Sequence, residues 1–456
     1  MTQPPARPAR SSSRGSRPGS SRPVRRTRPG AEVDAPVDMP LVEVEVGPVA
    51  HGGHCVARHE GRVIFVRHAL PGERVRVRLT AAAPDAKFWR GDAVEVLEAS
   101  PDRVPSAWPE AGPGGVGGAE LAHVRLDAQR EWKRQVIEEQ LRRIARLDLP
   151  VVVEAAPGDD ERGGLAYRTR IELVADAEGR AGMRRHRSHD VVALDAMPLA
   201  TESVAAAAEA FGVFSGRWTA GARLDVVAPE GGAEPILLVD GEPWRGTRVD
   251  RRPNARRTVV ETVTVGGTEH QFRVAADGFW QVHREAPALL AQTVLDSVGD
   301  VLDATVVDLF AGSGLFTAPL AAATGPVGRV VSVEGDERAV ASARRNLHGQ
   351  DHVDLWAGDV ARVLREAGHG AVGGADVVVL DPPRAGAGRP VVDQVVGLGP
   401  ERVVLVSCDP AALARDLGLL GESGYEVRSL RAFDLFPMTH HVECVALLTR
   451  TGSDLR

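Results

Sequence analysis

A cysteine at the end of a predicted core strand is the best-placed nucleophile in this sequence. The run RVVLVS at 402–407 has the length and β-branching of a buried strand, and Cys408 follows it in a turn that leads into a helical pattern from Ala411. Ligands of open α/β sheets bind at the carboxyl ends of the strands, so a thiol at this position can reach a substrate. A lone cysteine is more often a core residue, and only the motifs around this one favour chemistry.

An acidic residue opens the last predicted strand. Glu443 begins the run ECVALLTR, and next to a thiol it would act as a general base. Cys444 alternates to the opposite face of the strand and is expected in the core. His440 and His441 directly precede Glu443, but two histidines by themselves do not form a metal site.

The motif DPPRAG at 381–386 directs two more polar groups towards the ligand cleft. It follows the predicted strand DVVVLD, and its two prolines fix an extended, rigid loop at the carboxyl end of that strand. Asp381 and Arg384 are therefore candidates for contacts to substrate or cofactor.

A glycine-rich turn indicates a nucleotide-like cofactor. AGSGLFT directly follows the predicted strand TVVDLF, which places Asp308, Gly312 and Gly314 where the backbone must approach a ligand closely. Glu334, at the end of the next strand, can accept hydrogen bonds from both hydroxyls of a ribose. These features fit NAD and S-adenosylmethionine equally, but Thr317 replaces the third glycine of the dinucleotide pattern.

The acidic residues favour S-adenosylmethionine over NAD. No phosphate-binding requirement explains Asp308, whereas a ligand that carries a sulfonium and an ammonium group favours an acid-lined pocket. Asp359, in a turn after a short third strand, is a candidate contact to the adenine amine. The alternative for a loop aspartate is a solvated or helix-capping position.

Strands and helices alternate in the last third of the chain, which predicts an α/β fold with a parallel sheet. The segment 40–98 instead alternates in the strand manner between Gly and Pro turns, which indicates a small β-barrel of a kind that commonly binds oligonucleotides. Arg74, Arg76 and Arg78 share one face of a strand there, either as phosphate contacts or as a solvated face.

Between these two units the sequence predicts a helix and a mixed α/β region. The helix runs from Asp127, a candidate N-cap, to Leu147. A strand follows at 167–175. Arg168 and Arg170 lie on one side of it, either as RNA contacts or as a solvated face.

These patterns divide the chain into four parts. They are a disordered tail rich in Arg, Pro and Ser at 1–37, the barrel at 38–100, a central α/β domain with a Gly/Pro-rich loop and the helix at 101–273, and the S-adenosylmethionine domain at 274–456. The tail carries eight arginines before its first acid, Glu32, and is either a solvated segment or an electrostatic tether for RNA or another polyanion. An organellar transit peptide is a weaker alternative, because the prolines disrupt an amphipathic helix.

Composition excludes several classes of protein. The 456 residues carry a formal net charge of -7. The three cysteines, far apart in sequence, give no disulfide framework and are too few to form an all-thiolate metal site. The sequence contains no apolar run of about 18 residues, the length a membrane helix requires. We expect a cytoplasmic monomer with no metal site and no membrane partner.

The motifs in combination closely resemble the RNA uracil-5-methyltransferase family, whose members form 5-methyluridine in transfer RNA or large-subunit ribosomal RNA. They are SCDP, LDPPRAG, DLFAGSGLF, FDLFPMTHHVE and FWQVH, and GGHCVARHEGRVIFVRHALPGERVRV resembles the RNA-binding TRAM barrel. The resemblance extends from the barrel nearly to the last residue. It implies a Rossmann-like class I methyltransferase sheet behind a TRAM/OB-like barrel and a mixed central domain.

The resemblance also implies roles for individual residues. Cys408 would add to carbon 6 of uracil, carbon 5 would then take the methyl group, and Glu443 would remove the proton from carbon 5 so that elimination restores the ring. The uridine would be flipped out of a structured tRNA or 23S rRNA, with Asp381 and Arg384 holding its edge. The cofactor contacts implied in this way are Gln281, Asp308, Gly312, Glu334 and Asp381.

One departure from the family concerns an iron-sulfur cluster that many members bind through cysteines. The corresponding positions here are Trp108, Val116, Ala119 and Met197, none of which ligates iron as cysteine does. We therefore expect no iron-sulfur cluster, and apolar packing by these side chains in its place.

Three alternatives remain open at this point. An RNA cytosine-5 methyltransferase uses the same thiol addition but needs a proton donor to N3 of cytosine. A non-catalytic RNA-binding or assembly protein has no chemical need for Cys408 and Glu443 together. An NAD-dependent oxidoreductase lacks the third glycine and an obvious catalytic set.

Overall fold

The computed structural model describes residues 41–371 and 373–452. The arginine-rich tail and the first residues assigned to the barrel domain lie outside the described residues. Within these ranges no helix combines the length and the apolar character that crossing a bilayer requires.

Five strands close into an N-terminal barrel in the order β1-β2-β3-β5-β4. The strands are β1 (Leu41–Ala50), β2 (His54–His59), β3 (Arg62–Arg67), β4 (Arg74–Ala81) and β5 (Phe88–Glu98). Valine and arginine alternate along β4, so Val75 and Val77 fill the interior while the arginines face outwards. The predicted barrel is therefore confirmed.

The arginine face of β4 is a solvated, ion-paired surface. Arg74 donates to Glu43 at 2.5 Å and to Glu98 at 2.6 Å, and Arg76 donates to Glu95 at 2.9 Å. Because acids of the neighbouring strands already neutralise these two guanidinium groups, the solvated interpretation fits Arg74 and Arg76 better than the phosphate interpretation. Phosphate contact by Arg78 stays a prediction.

One long helix joins the barrel to the C-terminal sheet. Helix α1 (Leu126–Gln140) continues into a π-helical turn and is followed by the short strand β6 (Val153–Ala155). Its Trp132 and Val136 pack in the barrel core, whereas Ile137 packs in the core of the C-terminal sheet. Because these residues of α1 are buried against two cores, the apolar residues of the helix recur at helical spacing.

The predicted cap of this helix was wrong. Arg125 occupies the N-cap position, and Asp127 lies in the first turn, where it accepts a hydrogen bond from Arg125 at 2.5 Å. An acid in the first turn still interacts favourably with the helix dipole.

The central region forms a seven-stranded sheet in the order β13-β12-β11-β10-β7-β8-β9. Its elements are β7 (Arg170–Ala175), β8 (Ala181–Arg184), β9 (Val191–Ala193), α2 (Glu202–Ala210), β10 (Arg223–Val227), β11 (Ile236–Val239), β12 (Glu242–Arg245) and β13 (Arg248–Val249). Neither interpretation of Arg170 was correct, because Arg170 is buried and donates to Glu261 at 2.9 Å. Arg168 is partly buried, and its contact with RNA stays a prediction.

The C-terminal sheet has eight strands in the order β18-β17-β16-β19-β20-β22-β21-β6. A separate hairpin of β14 (Thr258–Val265) and β15 (Thr268–Ala275) comes before α3 in the chain. Its remaining elements are α3 (Ala286–Val298), β16 (Thr305–Leu309), α4 (Thr317–Thr324), β17 (Arg329–Glu334), α5 (Glu337–Asn346), β18 (Val353–Ala357), α6 (Val360–Ala371), β19 (Val377–Leu380), α7 (Gly388–Leu398), β20 (Arg402–Ser407), α8 (Pro410–Glu422), β21 (Tyr425–Asp434) and β22 (Glu443–Arg450).

Five neighbouring strands of this sheet are parallel, as predicted, but β22 runs antiparallel to β20. Both faces are covered, since Val306 packs on the side of α3 and α4 while Val307 packs on the side of α1, α7 and α8. Strand β6, from the segment assigned to the central domain, forms one edge of the sheet.

A fully buried ion pair fixes the chain just before β22. Lys133 of α1 donates to the Asp434 carboxylate, and also to the carbonyl of Phe436 at 3.1 Å. Their side chains are 0% and 2% exposed. The pair holds the segment that leads to Glu443 against α1.

Replacing Lys133 with methionine is expected to destabilise the protein by about 3–5 kcal/mol, because Asp434 would remain as an uncompensated buried charge. The double variant Lys133→Met/Asp434→Leu should recover most of that loss. Denaturant unfolding monitored by circular dichroism measures both, with Lys87→Met, an exposed lysine, as the matched control. Equal stability of Lys133→Met and the control would contradict a stabilising role for the pair.

Candidate active site

The carboxyl edge of the eight-stranded sheet brings the predicted thiol and acid together. Ser407 of β20 pairs with Cys444 of β22, so one further step of the antiparallel register sets Cys408 opposite Glu443. Because β22 is antiparallel to β20, its first residue lies at the edge where β20 ends. Glu443 is 5% exposed, and Cys444 is buried in the core as predicted.

The thiol of Cys408 is only partly buried, but its environment disfavours the thiolate. Burial, followed by the nearby carboxyl groups of Glu443 and Asp381, raises the pKa of Cys408 to about 12. The guanidinium of Arg384 acts in the opposite direction. A reaction of this thiol therefore needs a group that takes its proton or a cation that stabilises the negative sulfur.

The two acids beside the thiol hold protons more strongly than ordinary carboxyl groups. Burial and the charge of Glu334 raise the pKa of Asp381 to about 7. Burial and the charge of Asp381 raise the pKa of Glu443 well above its usual range, and Arg384 opposes this shift. A carboxyl group with such a pKa can exchange a proton with a substrate near neutral pH.

Arg384 contacts His441, whose ring lies next to that of His440. Its Nη2 atom lies 3.5 Å from Nε2 of His441, and the rings of His440 and His441 are 4.2 Å apart. Burial, and then the neighbouring cations, lower the pKa of His441 to about 3, so that it is a neutral acceptor. In the sequence these two histidines stand out only as metal ligands, for which two are too few, and their contact with Arg384 arises from the fold.

Glu120, from the Gly/Pro-rich loop, anchors this pair of histidines. Its carboxylate bonds to the backbone amide of His440 at 3.0 Å and to the ring of His440. Burial acts to raise the pKa of Glu120, but the hydrogen bond and charge of His440 lower it overall. No sequence motif pointed to Glu120, because its partner lies 320 residues away along the chain.

The barrel also contacts the loop that carries the nucleophile. Nε2 of His51, in the turn between β1 and β2, lies 3.0 Å from Oδ2 of Asp409. The other carboxylate oxygen of Asp409 caps α8 by accepting from the amides of Ala411 and Ala412 at 3.0 and 2.9 Å. Asp409 therefore links the barrel, the residue after Cys408 and the start of a helix.

The glycine turn and the acid of the next strand are joined directly. The amide of Gly312 donates to one oxygen of Glu334 at 2.8 Å, and the amide of Asp336 donates to the other at 2.7 Å. Gly312 has a positive φ of 56° and Gly314 one of 93°, which only glycine adopts readily. The amides orient Glu334 and leave lone pairs free for a ligand hydroxyl.

Asp308 lies beneath this turn rather than at the surface of the cleft. It is fully buried and accepts from Thr317 Oγ1 at 2.6 Å, while its other oxygen has no partner among the described residues. Burial raises the pKa of Asp308 to about 7, and the acids Asp381 and Glu334 act in the same direction. Three mutually repelling acids thus line one region, which suits a cationic ligand.

The remaining two predicted cofactor residues occupy different environments. Asp359 is exposed and caps α6 by accepting from the amide of Arg362 at 2.9 Å, next to Gly358, whose amide donates to the carbonyl of Glu334. Gln281 is buried just before α3, and its side chain makes no hydrogen bond to another described residue. A cleft beside the glycine turn is lined by Gly278, Phe279, Gly312, Ser313, Glu334 and Arg338.

The positions that correspond to cluster cysteines pack together as an apolar group. Trp108, Val116, Ala119 and Met197 are all buried in the core of the central sheet. Among the described residues, no group of three or more His, Cys, Asp or Glu side chains is arranged to hold a metal ion. That the protein contains no iron-sulfur cluster remains a prediction.

Family models match three segments of the chain. The TRAM domain model matches residues 41–94, the model of tRNA (Uracil-5-)-methyltransferase matches residues 374–451, and that of Protein-L-isoaspartate(D-aspartate) O-methyltransferase matches residues 281–394. The second match contains Cys408 and Glu443, and the third contains the glycine turn.

Relatives cover almost the whole chain. An uncharacterized RNA methyltransferase of Bifidobacterium longum is 45% identical over 433 residues, which are 90% of this chain and 97% of the relative. One from Streptomyces avermitilis is 43% identical over 91% of this chain and 99% of the relative.

A solved structure has a similar fold over most of the chain. It is the tRNA (uracil-54, C5)-methyltransferase of Pyrococcus abyssi in complex with S-adenosyl-L-homocysteine, with a TM-score of 0.63 and 22% identity. The match covers 89% of this chain and 100% of that one. This similarity confirms the predicted fold class, in which a β-barrel and a mixed central region precede a methyltransferase sheet.

Proposed function

The chain belongs to the RNA methyltransferase family of these relatives, and from that premise we propose that it transfers a methyl group from S-adenosylmethionine to carbon 5 of a uridine in tRNA or 23S rRNA. The observation that carries the proposal is the strand register that sets Cys408 opposite Glu443. Asp381 and Arg384 lie beside them. A thiol and a proton-accepting acid in one cleft are what methylation at carbon 5 requires.

Cys408 has to activate the base, since carbon 5 of uracil is too weak a nucleophile by itself. The sulfur forms a bond to carbon 6, and the electron pair of the 5,6 double bond moves towards carbon 5 and the adjacent carbonyl. Arg384, whose charge favours the thiolate of Cys408, would also stabilise the resulting enolate oxygen. The thiol proton leaves to a neighbouring carboxylate or to water.

Glu443 completes the reaction by taking a proton. After carbon 5 has gained its methyl group, Glu443 removes the hydrogen that remains on that carbon, and the sulfur-carbon bond breaks to restore the double bond. The raised pKa of this carboxyl group makes its conjugate base strong enough for that transfer. Its burial excludes bulk water from the adduct.

The acid-lined region around the glycine turn would hold S-adenosylmethionine, which when bound supplies an electrophilic methyl group on its sulfonium. Glu334 would accept from the ribose hydroxyls, and Gly312 and Gly314 would allow the backbone to approach the ligand. The unpartnered oxygen of Asp308 supports a cationic ligand or an ordered water at that position. Asp359 and Gln281 would border the same ligand.

The barrel would provide a stacking surface for RNA on the face that includes β3 and β5. Phe65 and Phe88 lie edge to face at 5.2 Å, His54 is 6.0 Å from Phe65, and Arg62 lies over the ring of Trp89 at 4.6 Å. Partly exposed rings interleaved with cations are typical of surfaces that bind single-stranded nucleic acid. The adjacent turn contacts Asp409 through His51, so RNA on the barrel would lie close to Cys408.

Nucleoside mass spectrometry tests the proposed reaction. tRNA and 23S rRNA are purified separately from cells with and without the gene, and 5-methyluridine is quantified and mapped in each. Loss of 5-methyluridine from one pool would establish the reaction and identify the substrate. Loss of 5-methylcytidine instead would replace uridine with cytidine as the target, and no change in either pool after homologous genes are removed would contradict the proposal.

Replacing Glu443 with glutamine should trap a covalent RNA-protein adduct, because addition and methylation precede the proton transfer that the variant lacks. Turnover should fall by roughly 10²–10⁴-fold. A denaturing gel with radiolabelled RNA detects the adduct, which should disappear in Cys408→Ala/Glu443→Gln. Glu426→Gln, an exposed acid of β21, is the matched control. An adduct that persists without Cys408 would remove the nucleophile assignment.

Affinity for S-adenosylmethionine should fall as pH is lowered from 8 to 6. The pKa values of Asp308 and Asp381 are both about 7, so their carboxyl groups lose charge in this interval and with it their attraction for the sulfonium. If only the ionised form of such a group attracts the sulfonium, one group is expected to cause a loss of roughly tenfold between pH 8 and pH 6.

Isothermal titration at several pH values measures this dependence. S-adenosylhomocysteine, whose sulfur is uncharged, should show a smaller change. Asp308→Asn should flatten the dependence, whereas Asp393→Asn, an exposed acid on α7, should preserve it. Equal affinities for S-adenosylmethionine at pH 6 and 8 would contradict the assignment of these acids to the cation.

A further inference from the structure

An arginine-rich hairpin at the edge of the central sheet has no role in the active site described above. We call residues 242–252, which form β12, a tight turn and β13, the arginine hairpin. β13 is the last strand of the seven-stranded sheet, so its outer edge is unpaired within the described residues. The hairpin lines a groove of about 1220 Å³ with the side chains of Trp244, Arg245, Arg248, Arg251 and Arg252.

The acids in and near the hairpin are already paired with other arginines. Asp250 accepts from Arg252 at 2.6 Å, and Glu242 accepts from Arg257 at 2.6 Å. A third acid, Glu234, pairs with Arg256 at 3.1 Å. The charge of Asp250 also acts on Arg245, but among the described residues no acid forms a hydrogen bond or an ion pair with Arg245, Arg248 or Arg251.

Those three arginines are exposed cations. Arg245, Arg248 and Arg251 make no side-chain hydrogen bond or ion pair with another described residue. Arg245 and Arg248 face each other as a pair across the hairpin, at the end of a two-residue turn. Like charges opposite each other on a hairpin destabilise it unless an anion lies between or beside them.

The hairpin holds these cations on a defined scaffold. Trp244 packs against Trp218 with ring centroids 5.5 Å apart, and its indole donates to the carbonyl of Gly246 at 3.1 Å. The amide of Asp250 donates to the carbonyl of Pro243 at 2.7 Å. Guanidinium groups on such a scaffold lose less freedom when they bind a phosphate than those of an unstructured tail.

The arginine hairpin lies near the cleft beside the glycine turn and not near the loop that carries Cys408. Arg257, whose partner Glu242 belongs to the hairpin, lines a cleft together with Ala275, Arg338 and Ser342. The latter three residues also line the cleft beside the glycine turn. The hairpin thus lies beyond the cofactor cleft, whereas the barrel contacts the Cys408 loop.

We propose that the arginine hairpin is a second RNA-binding surface, on which Arg245, Arg248 and Arg251 contact backbone phosphates of a substrate segment away from the target uridine. The inference rests on the proposed function in one respect, which is that the substrate is RNA. Arginine matches phosphate geometry in a bidentate manner, and phosphate contacts position a nucleic acid without reading its sequence. A chain with net charge -7 needs such local cations to attract a polyanion.

The test compares RNA binding by the full chain and by Arg245→Ala/Arg248→Ala/Arg251→Ala over a series of salt concentrations. The probes are a pool of transcribed tRNA, transcribed 23S rRNA, and an oligomer of seven uridines, which supplies a target base with only a few flanking phosphates. The matched control is Arg142→Ala/Arg389→Ala/Arg428→Ala, which removes the same charge from exposed arginines paired with Asp148, Glu422 and Glu426.

The hairpin variant should bind the long RNA about tenfold more weakly at moderate salt, and its slope of log affinity against log salt should be smaller by roughly two, as expected for the loss of about three phosphate contacts. Its affinity for the short oligomer should match that of the parent. In methylation assays the KM for RNA should rise while kcat stays within about twofold. Melting curves verify that the variant is folded.

Equal affinities and equal salt slopes for the hairpin variant and the control variant would overturn the inference. An equal loss of affinity for the short oligomer would also overturn it, because that result indicates a general charge effect. The binding assay needs no turnover, so absence of 5-methyluridine formation would count against the proposed reaction alone. Absence of any RNA binding by the parent protein would contradict both.

Discussion

Acidic groups are crowded at the carboxyl edge of the eight-stranded sheet, and much of the surrounding structure compensates for their mutual repulsion. Asp308, Asp381 and Glu443 all have raised pKa values, caused first by burial and then by neighbouring carboxyl groups. Such acids bind more protons in the folded than in the unfolded state, so their contribution to stability decreases as pH rises towards 7. A cationic ligand and the guanidinium of Arg384 relieve the same repulsion, which couples ligand binding to the chemistry of the site.

The position of Glu443 depends on contacts from distant parts of the chain. Besides the ion pair between Lys133 and Asp434, Gln129 of α1 accepts from the amide of Met438 at 2.7 Å, and the hydroxyl of Tyr167 donates to the carbonyl of Pro437 at 3.2 Å. Helix α1, the Gly/Pro-rich loop and the central region therefore act together as a support for one short segment.

Arginines in this protein serve two physical purposes that composition does not distinguish. Arg74 and Arg170 are paired with acids and stabilise the barrel and the central region. Arg245 and Arg248 lack such partners among the described residues and present positive charge to solvent. The net charge of the chain is negative, but positive charge is concentrated locally at these exposed arginines, where it attracts a polyanion.

The sequence by itself determined the five parallel strands and the last strand of the methyltransferase sheet, the glycine turn and the edge that carries Cys408, because strand length, β-branching and glycine placement are local properties. It did not predict β6 and β21 as members of this sheet. The motif resemblance to RNA methyltransferases is confirmed at the level of the family. Only the tertiary structure decided that β22 is antiparallel to β20, which sets Glu443 opposite Cys408. The tertiary structure also decided which arginines are paired with acids, and it brought Glu120 into contact with His440. These outcomes depend on partners such as Lys133 and Asp434, 301 residues apart, whose proximity no local periodicity encodes.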